Sequence, residues 1–127
     1  MNIYETCPQV SNAQYLLRLT GPQDRDDLLK VYSDEKSVPL FNGDNCNGDD
    51  FYYTTAQRMQ QALDFWIWSY ENRWFVRMSI LDRSSERVIG TMELCYRDAD
   101  RFLHFETTFY LQGDLLERLR CCMEEKL

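Results

Sequence analysis

Two runs, Trp74 to Leu81 and Val88 to Tyr96, are rich in apolar, β-branched and aromatic residues, and the polar stretch Asp82-Arg83-Ser84-Ser85-Glu86 joins them. Runs of this kind with a short polar connection predict an antiparallel hairpin. Gly90 lies inside the second run, where a missing side chain marks a bulge or a close backbone approach. The hairpin constrains everything else. Upstream residues have to supply helices that cover it, and downstream residues have to extend its sheet.

Upstream, residues 1–13 carry Pro8 and no sustained period, and read as a loose arm. Tyr15-Leu16-Leu17-Arg18-Leu19 reads as a short strand. Thr20 with Gln23 fits a capping box, and Pro22 suits a first helical turn. The helix predicted over 24–34 places Leu28, Leu29 and Tyr32 on one face. A second capping box, Thr54 with Gln57, opens a helix predicted over 55–72. Its core stripe is Met59, Leu63, Trp66 and Tyr70, widened by Phe65, Ile67 and Trp68.

Between the helices the period is lost at Pro39, and Phe41 to Asp50 is dense in turn formers. Counting from Asn42, the third ligand position of a calcium loop is Cys46 and position twelve is Tyr53, so calcium is rejected. Two readings stay open for this loop. One is a solvated connector; the other is a substrate-facing loop in which Phe41, Asp44 and Tyr52 contact the substrate. Downstream, Phe102 to Leu111 reads as a further strand. Leu103, Phe105, Thr107, Phe109 and Leu111 fall on one side of it, and His104, Glu106, Thr108 and Tyr110 on the other. Leu115, Leu116, Leu119, Cys122 (or Met123) and Leu127 then read as the apolar face of a terminal helix.

With 127 residues, 44% hydrophobic and 14% aromatic, the chain has material for one packed core, read as a single domain over 1–127. A formal charge of −7 argues against nucleic acid as a partner and leaves room for a cationic amine. No run is long and apolar enough to span a membrane, and no leader peptide is visible. The five cysteines have no C-x-x-C spacing. They read as reduced cytoplasmic thiols and no metal site is expected.

The order strand, helix, helix, three-stranded meander and helix resembles the start of the GNAT superfamily of acyl-CoA-dependent N-acyltransferases, most of all the subgroup related to ribosomal-protein-alanine N-acetyltransferases. Tyr15-Leu16-Leu17-Arg18-Leu19 is similar to the family's first strand, and Lys30-Val31-Tyr32-Ser33-Asp34 to the end of its first helix. Phe65-Trp66-Ile67 matches an aromatic position of the second helix. Arg87-Val88-Ile89-Gly90-Thr91-Met92-Glu93-Leu94 is similar to the third strand. The resemblance implies an α+β fold, an antiparallel-rich sheet covered by two N-terminal helices, and transfer of an acetyl group from acetyl-CoA to an amine. It places the cofactor at Leu111 and Gly113.

The family's pyrophosphate loop, Gln/Arg-x-x-Gly-x-Gly/Ala, is replaced here by Gln112-Gly113-Asp114-Leu115-Leu116-Glu117-Arg118. One glycine and two carboxylates stand where an anion would sit, which predicts weak acetyl-CoA binding by this chain alone. The expectation is of a domain lacking the C-terminal part of the family fold. Glu93 and Glu106 are candidate general bases on neighbouring strands, and Tyr110 a candidate general acid. The rival role for each is ordinary strand packing or pairing. The alternative function is a catalytically inactive module acting through self-association or ligand binding. An open edge on the last strand, with the terminal helix, predicts a homodimer.

Overall fold

The computed structural model describes residues 4–37, 51–96 and 105–111, the side chains of 94–96 and 105–111 excepted. Among the described residues five strands, β1 (Val10–Ser11), β2 (Tyr15–Leu19), β3 (Phe75–Asp82), β4 (Arg87–Tyr96) and β5 (Phe105–Leu111), form one sheet in the order β1-β2-β3-β4-β5. Every neighbouring pair is antiparallel. Two helices, α1 (Arg25–Tyr32) and α2 (Ala56–Glu71), pack on the sheet. The α+β architecture expected from the sequence is the one observed.

The predicted hairpin is β3–β4. Asp82 organises its turn by accepting from the Ser84 hydroxyl at 3.0 Å and the Ser85 hydroxyl at 2.9 Å. Gly90 sits at an irregularity. Ile80 pairs with Gly90 but Leu81 pairs with Val88, so Ile89 is the extra residue. There the Val88 N–H donates to Asp27 Oδ2 at 3.0 Å, and Arg87 pairs with the same carboxylate, tying α1 to the sheet.

β3 has two faces of different character. Val76, Met78 and Ile80 join Tyr15, Leu17 and Met92 in a buried apolar cluster, with Tyr4, Cys7 and Val10 packed against it. The other face turns Arg77 and Ser79 toward the helices, whose Leu28, Val31, Tyr32, Met59, Leu63 and Trp66 form a second cluster. Tyr4, Cys7 and Val10 correct the reading of residues 1–13 as a loose arm. Asn12 makes the difference: its Oδ1 accepts from the Gln14 and Tyr15 N–H groups at 2.8 and 2.7 Å, folding β1 back on β2.

Both helix starts differ from the expected caps. Thr20 is buried, with its Oγ1 2.9 Å from Ser79 Oγ, and Gly21 precedes a 3₁₀ turn over Pro22–Asp24. Asp24 accepts from the Gly21 N–H at 3.1 Å. α2 is capped by Thr55, one residue after the expected Thr54, its hydroxyl accepting from the Arg58 N–H at 3.1 Å. The core stripe of α2 is also narrower than predicted. Phe65 is 50% and Trp68 45% exposed, because at 100° per residue they fall beside the line through Met59, Leu63 and Trp66. The strand predicted from Phe102 is described from Phe105, and the terminal helix lies outside the described residues.

Asp24 is 2% exposed and receives Arg18 through two bonds of 2.9 and 2.7 Å, as well as the Ser79 hydroxyl at 2.7 Å. Asp24→Ala strands these donors and is expected to lower unfolding free energy in urea by about 3 kcal/mol. The hairpin turn has a pH signature. Hydrogen bonds from Ser85 and Ser84 hold the Asp82 carboxyl below its ordinary range. Its stabilisation is therefore present above the unfolded value near about 4 and lost as pH falls through the lower folded value. The gap in melting temperature between wild type and Asp82→Asn should shrink on acidification below about pH 4.

Candidate active site

A single arginine holds the polar layer between sheet and helices together. Arg77, in the middle of β3, is 2% exposed. Its side chain donates to Thr91 Oγ1 at 3.1 Å and to the Tyr32 hydroxyl at 3.4 Å, and pairs with the Glu93 carboxylate. The register explains the convergence. Arg77 lies opposite Glu93, and Thr91 lies two residues along β4, on the same face. α1 brings Tyr32 over this face, where its hydroxyl stands 2.8 Å from Thr91 Oγ1. Burial pushes the Tyr32 phenol above its ordinary value, and the Arg77 cation partly offsets this, so it stays protonated at neutral pH.

Aromatic rings enclose the guanidinium. The Trp66 ring centre is 4.3 Å from it, and the Phe75 and Phe51 rings are 5.8 and 6.0 Å away. A buried cation needs both acceptors and polarisable surface, and Arg77 has both.

Glu93 is the exposed end of this system. Its side chain is 22% exposed and opens on a groove of about 380 Å³. The walls are Phe51, Tyr53, Trp66 and Phe75, with Phe65 and Trp74 at the outer edge and Arg58 and Gln61 from α2. Tyr53 stacks on Tyr32 at 5.3 Å, and the Arg58 guanidinium lies 4.3 Å over the Tyr53 ring. A carboxylate held from below, beneath an aromatic-walled opening, can accept a proton from a ligand seated in the groove.

The structure brings only some of the expected site residues here. Glu93 lies in the groove. Glu106 pairs with Cys95, Tyr110 with Thr91 and Leu111 with Gly90, all three on β5. Tyr52 is half-buried between Phe51 and Tyr53 but does not line the groove. Phe41, Asp44 and Gly113 lie outside the described residues. Sequence reasoning missed Arg77, Arg58 and the wall residues Trp66 and Phe75 as parts of a site. One signal was available: an arginine flanked by Phe75, Val76 and Met78 within a strand must find a buried partner.

No family model and no curated protein matches the chain. Solved structures do. A ribosomal-protein-S5-alanine acetyltransferase from Vibrio fischeri superposes with a TM-score of 0.65 over 94% of this chain and 66% of its own, at 14% identity. A GCN5-related N-acetyltransferase from Brucella melitensis gives 0.66 over 94% of this chain and 51% of its own, at 18% identity. A ribosomal L7/L12 α-N-protein acetyltransferase in complex with coenzyme A gives 0.63 over 93% and 67%, at 11% identity. The chain thus has the GNAT N-acyltransferase fold over the part it spans, about half to two thirds of the length of these structures.

Thr91→Val keeps the shape of residue 91 and removes its oxygen. Arg77 would lose an acceptor and the Tyr32 hydroxyl a hydrogen-bond partner, so urea unfolding is expected to show a loss of about 1–2 kcal/mol with secondary structure retained.

Proposed function

We propose that the chain is an N-acetyltransferase in which Glu93 accepts the proton of the amine being acetylated. The single observation that carries this reading is the Glu93 carboxylate, partly exposed at the groove and held from beneath by buried Arg77. The GNAT fold agrees with it, since in that fold an amine meets an acyl thioester. Acetyl-CoA supplies the acetyl group as a thioester: a C–N bond forms, the C–S bond breaks, and the coenzyme leaves as its thiol.

This chain's residues orient the amine and take its proton. The groove walls exclude water around the nitrogen, and Glu93 removes the proton directly or through one water. Tyr110, paired with Thr91 on the strand beside Glu93, is the proposed source of the proton for the departing sulfur. The residues proposed to hold the cofactor are Leu111 and Gly113. β5 supports this: β4 is its only neighbour among the described strands, and an extended ligand with amide groups can pair along a strand edge.

Glu93→Gln preserves size and hydrogen bonding to Arg77 but cannot accept a proton. Acetyl transfer to a panel of primary amines, followed as free thiol, should fall about 100-fold or more. The Michaelis constant for the amine should change little. Unaltered turnover in Glu93→Gln would remove Glu93 as the base, and a wild-type protein that acetylates none of the amines would remove the function.

A further inference from the structure

A corner of three aromatic rings stays open to water at the end of α2. Phe65 is 50%, Trp68 45% and Trp74 58% exposed. The helix terminus fixes their arrangement. Arg73 takes a left-handed conformation with φ 62°, its N–H donates to the Tyr70 carbonyl at 3.0 Å, and the Trp74 N–H donates to the Ser69 carbonyl at 2.8 Å. This pattern ends a helix and returns the next residue against its last turns. Trp74 thereby meets Trp68 edge-on, ring centres 4.7 Å apart at 83°, while Phe65 stacks on Trp68 at 6.3 Å and 20°. The terminus accounts for contact between the indoles. It does not account for so much aromatic surface left exposed in one place.

The charges around the corner have one sign. Asp64 and Glu71 stand one turn before and one turn after Trp68 on the same face of α2, and both are exposed. Asp64 accepts from the neutral Gln60 amide at 2.9 Å, and among the described residues neither carboxylate has an ion-pair partner. The neighbouring cation, Arg73, acts on Tyr70, which lies on another face of the helix. Ring faces attract cations, and flanking carboxylates add to that attraction. The chain's charge of −7 extends it to longer range. In a two-fold pairing, a second copy would bring the same carboxylates against these, and an anionic lipid surface would be repelled. Phe65 and Trp74 also form the outer edge of the groove at Glu93, so the corner and the groove are continuous.

We infer that this corner is a docking site for a basic polypeptide segment, with an arginine or lysine side chain held against Trp68 and Trp74 between Asp64 and Glu71. The inference does not depend on acetyl transfer. Where both hold, the continuity of the surface lets one polypeptide occupy the corner and the groove.

The test uses the whole chain and a pentapeptide, N-acetylated and C-amidated, in which glycines alternate with two arginines. Its citrulline counterpart keeps the shape and loses the charge, and the blocked N-terminus keeps acceptor chemistry out of the measurement. The indole N–H signals of Trp68 and Trp74 in nuclear magnetic resonance spectra should shift saturably, with the arginine peptide binding about tenfold more tightly than the citrulline one. Trp68→Leu keeps apolar bulk and should weaken binding about tenfold. The surface pair Asp64→Asn with Glu71→Gln should weaken it to a similar extent, with circular dichroism confirming that both variants fold. Equal binding of the two peptides overturns the inference. So does the absence of saturable binding, or an affinity unchanged in both variants. Indole signals that shift on dilution of the protein alone would assign the corner to a second copy, and a response only to phosphatidylcholine vesicles would assign it to a lipid surface; either result overturns the inference.

Discussion

Arg77 occupies a position where a guanidinium is tolerated only if its neighbours satisfy it. Removing such a group from water costs several kcal/mol, and the cost is offset only by acceptors placed to within hydrogen-bond distance. Those acceptors come from separate parts of the chain: Tyr32 from α1, and Thr91 and Glu93 from β4. Trp66 of α2 closes the other side. The pairing of β3 with β4, the seating of α1 and the seating of α2 are therefore linked through one side chain.

The same arrangement connects packing to function. A carboxylate near a buried cation is held in one direction, and here the direction is toward an opening. The Asp24 cluster, with Arg18, Ser79 and Thr20, is a second buried polar group on the same face of the sheet, but there the carboxylate is enclosed and the accessible member of the ion pair is Arg18. Asp24 is 2% exposed against 22% for Glu93. Of the two, only Glu93 faces a groove lined by aromatic rings. Buried charge alone does not mark a site; access to the charge does.

Much of the fold was legible because strong local signals agreed with the global arrangement. The β3–β4 hairpin, the bulge beside Gly90 and both helices followed from alternation, turn residues and helical spacing. β1 was not legible, since a two-residue strand has no period and depends on the Asn12 turn. Exposure of Phe65 and Trp68 was also hidden. A helix rich in aromatics has more apolar residues than one face can bury, and the flank is decided by neighbours. Of the candidate site, Glu93 was singled out from its strand position, and it lines the groove. Arg77 and Arg58 were not, because their roles depend on cross-strand register and on ring stacking between Tyr53 and the second helix.

The proposed seat of the acceptor amine is over Glu93, between Trp66 and Phe75. Intermolecular nuclear Overhauser contacts between a bound amine acceptor and the aromatic protons of this chain test it directly. Contacts are expected from the carbon bearing the amine to the Trp66 indole and the Phe75 ring. Contacts confined to the opposite face of the sheet, around Met78 and Met92, would contradict it.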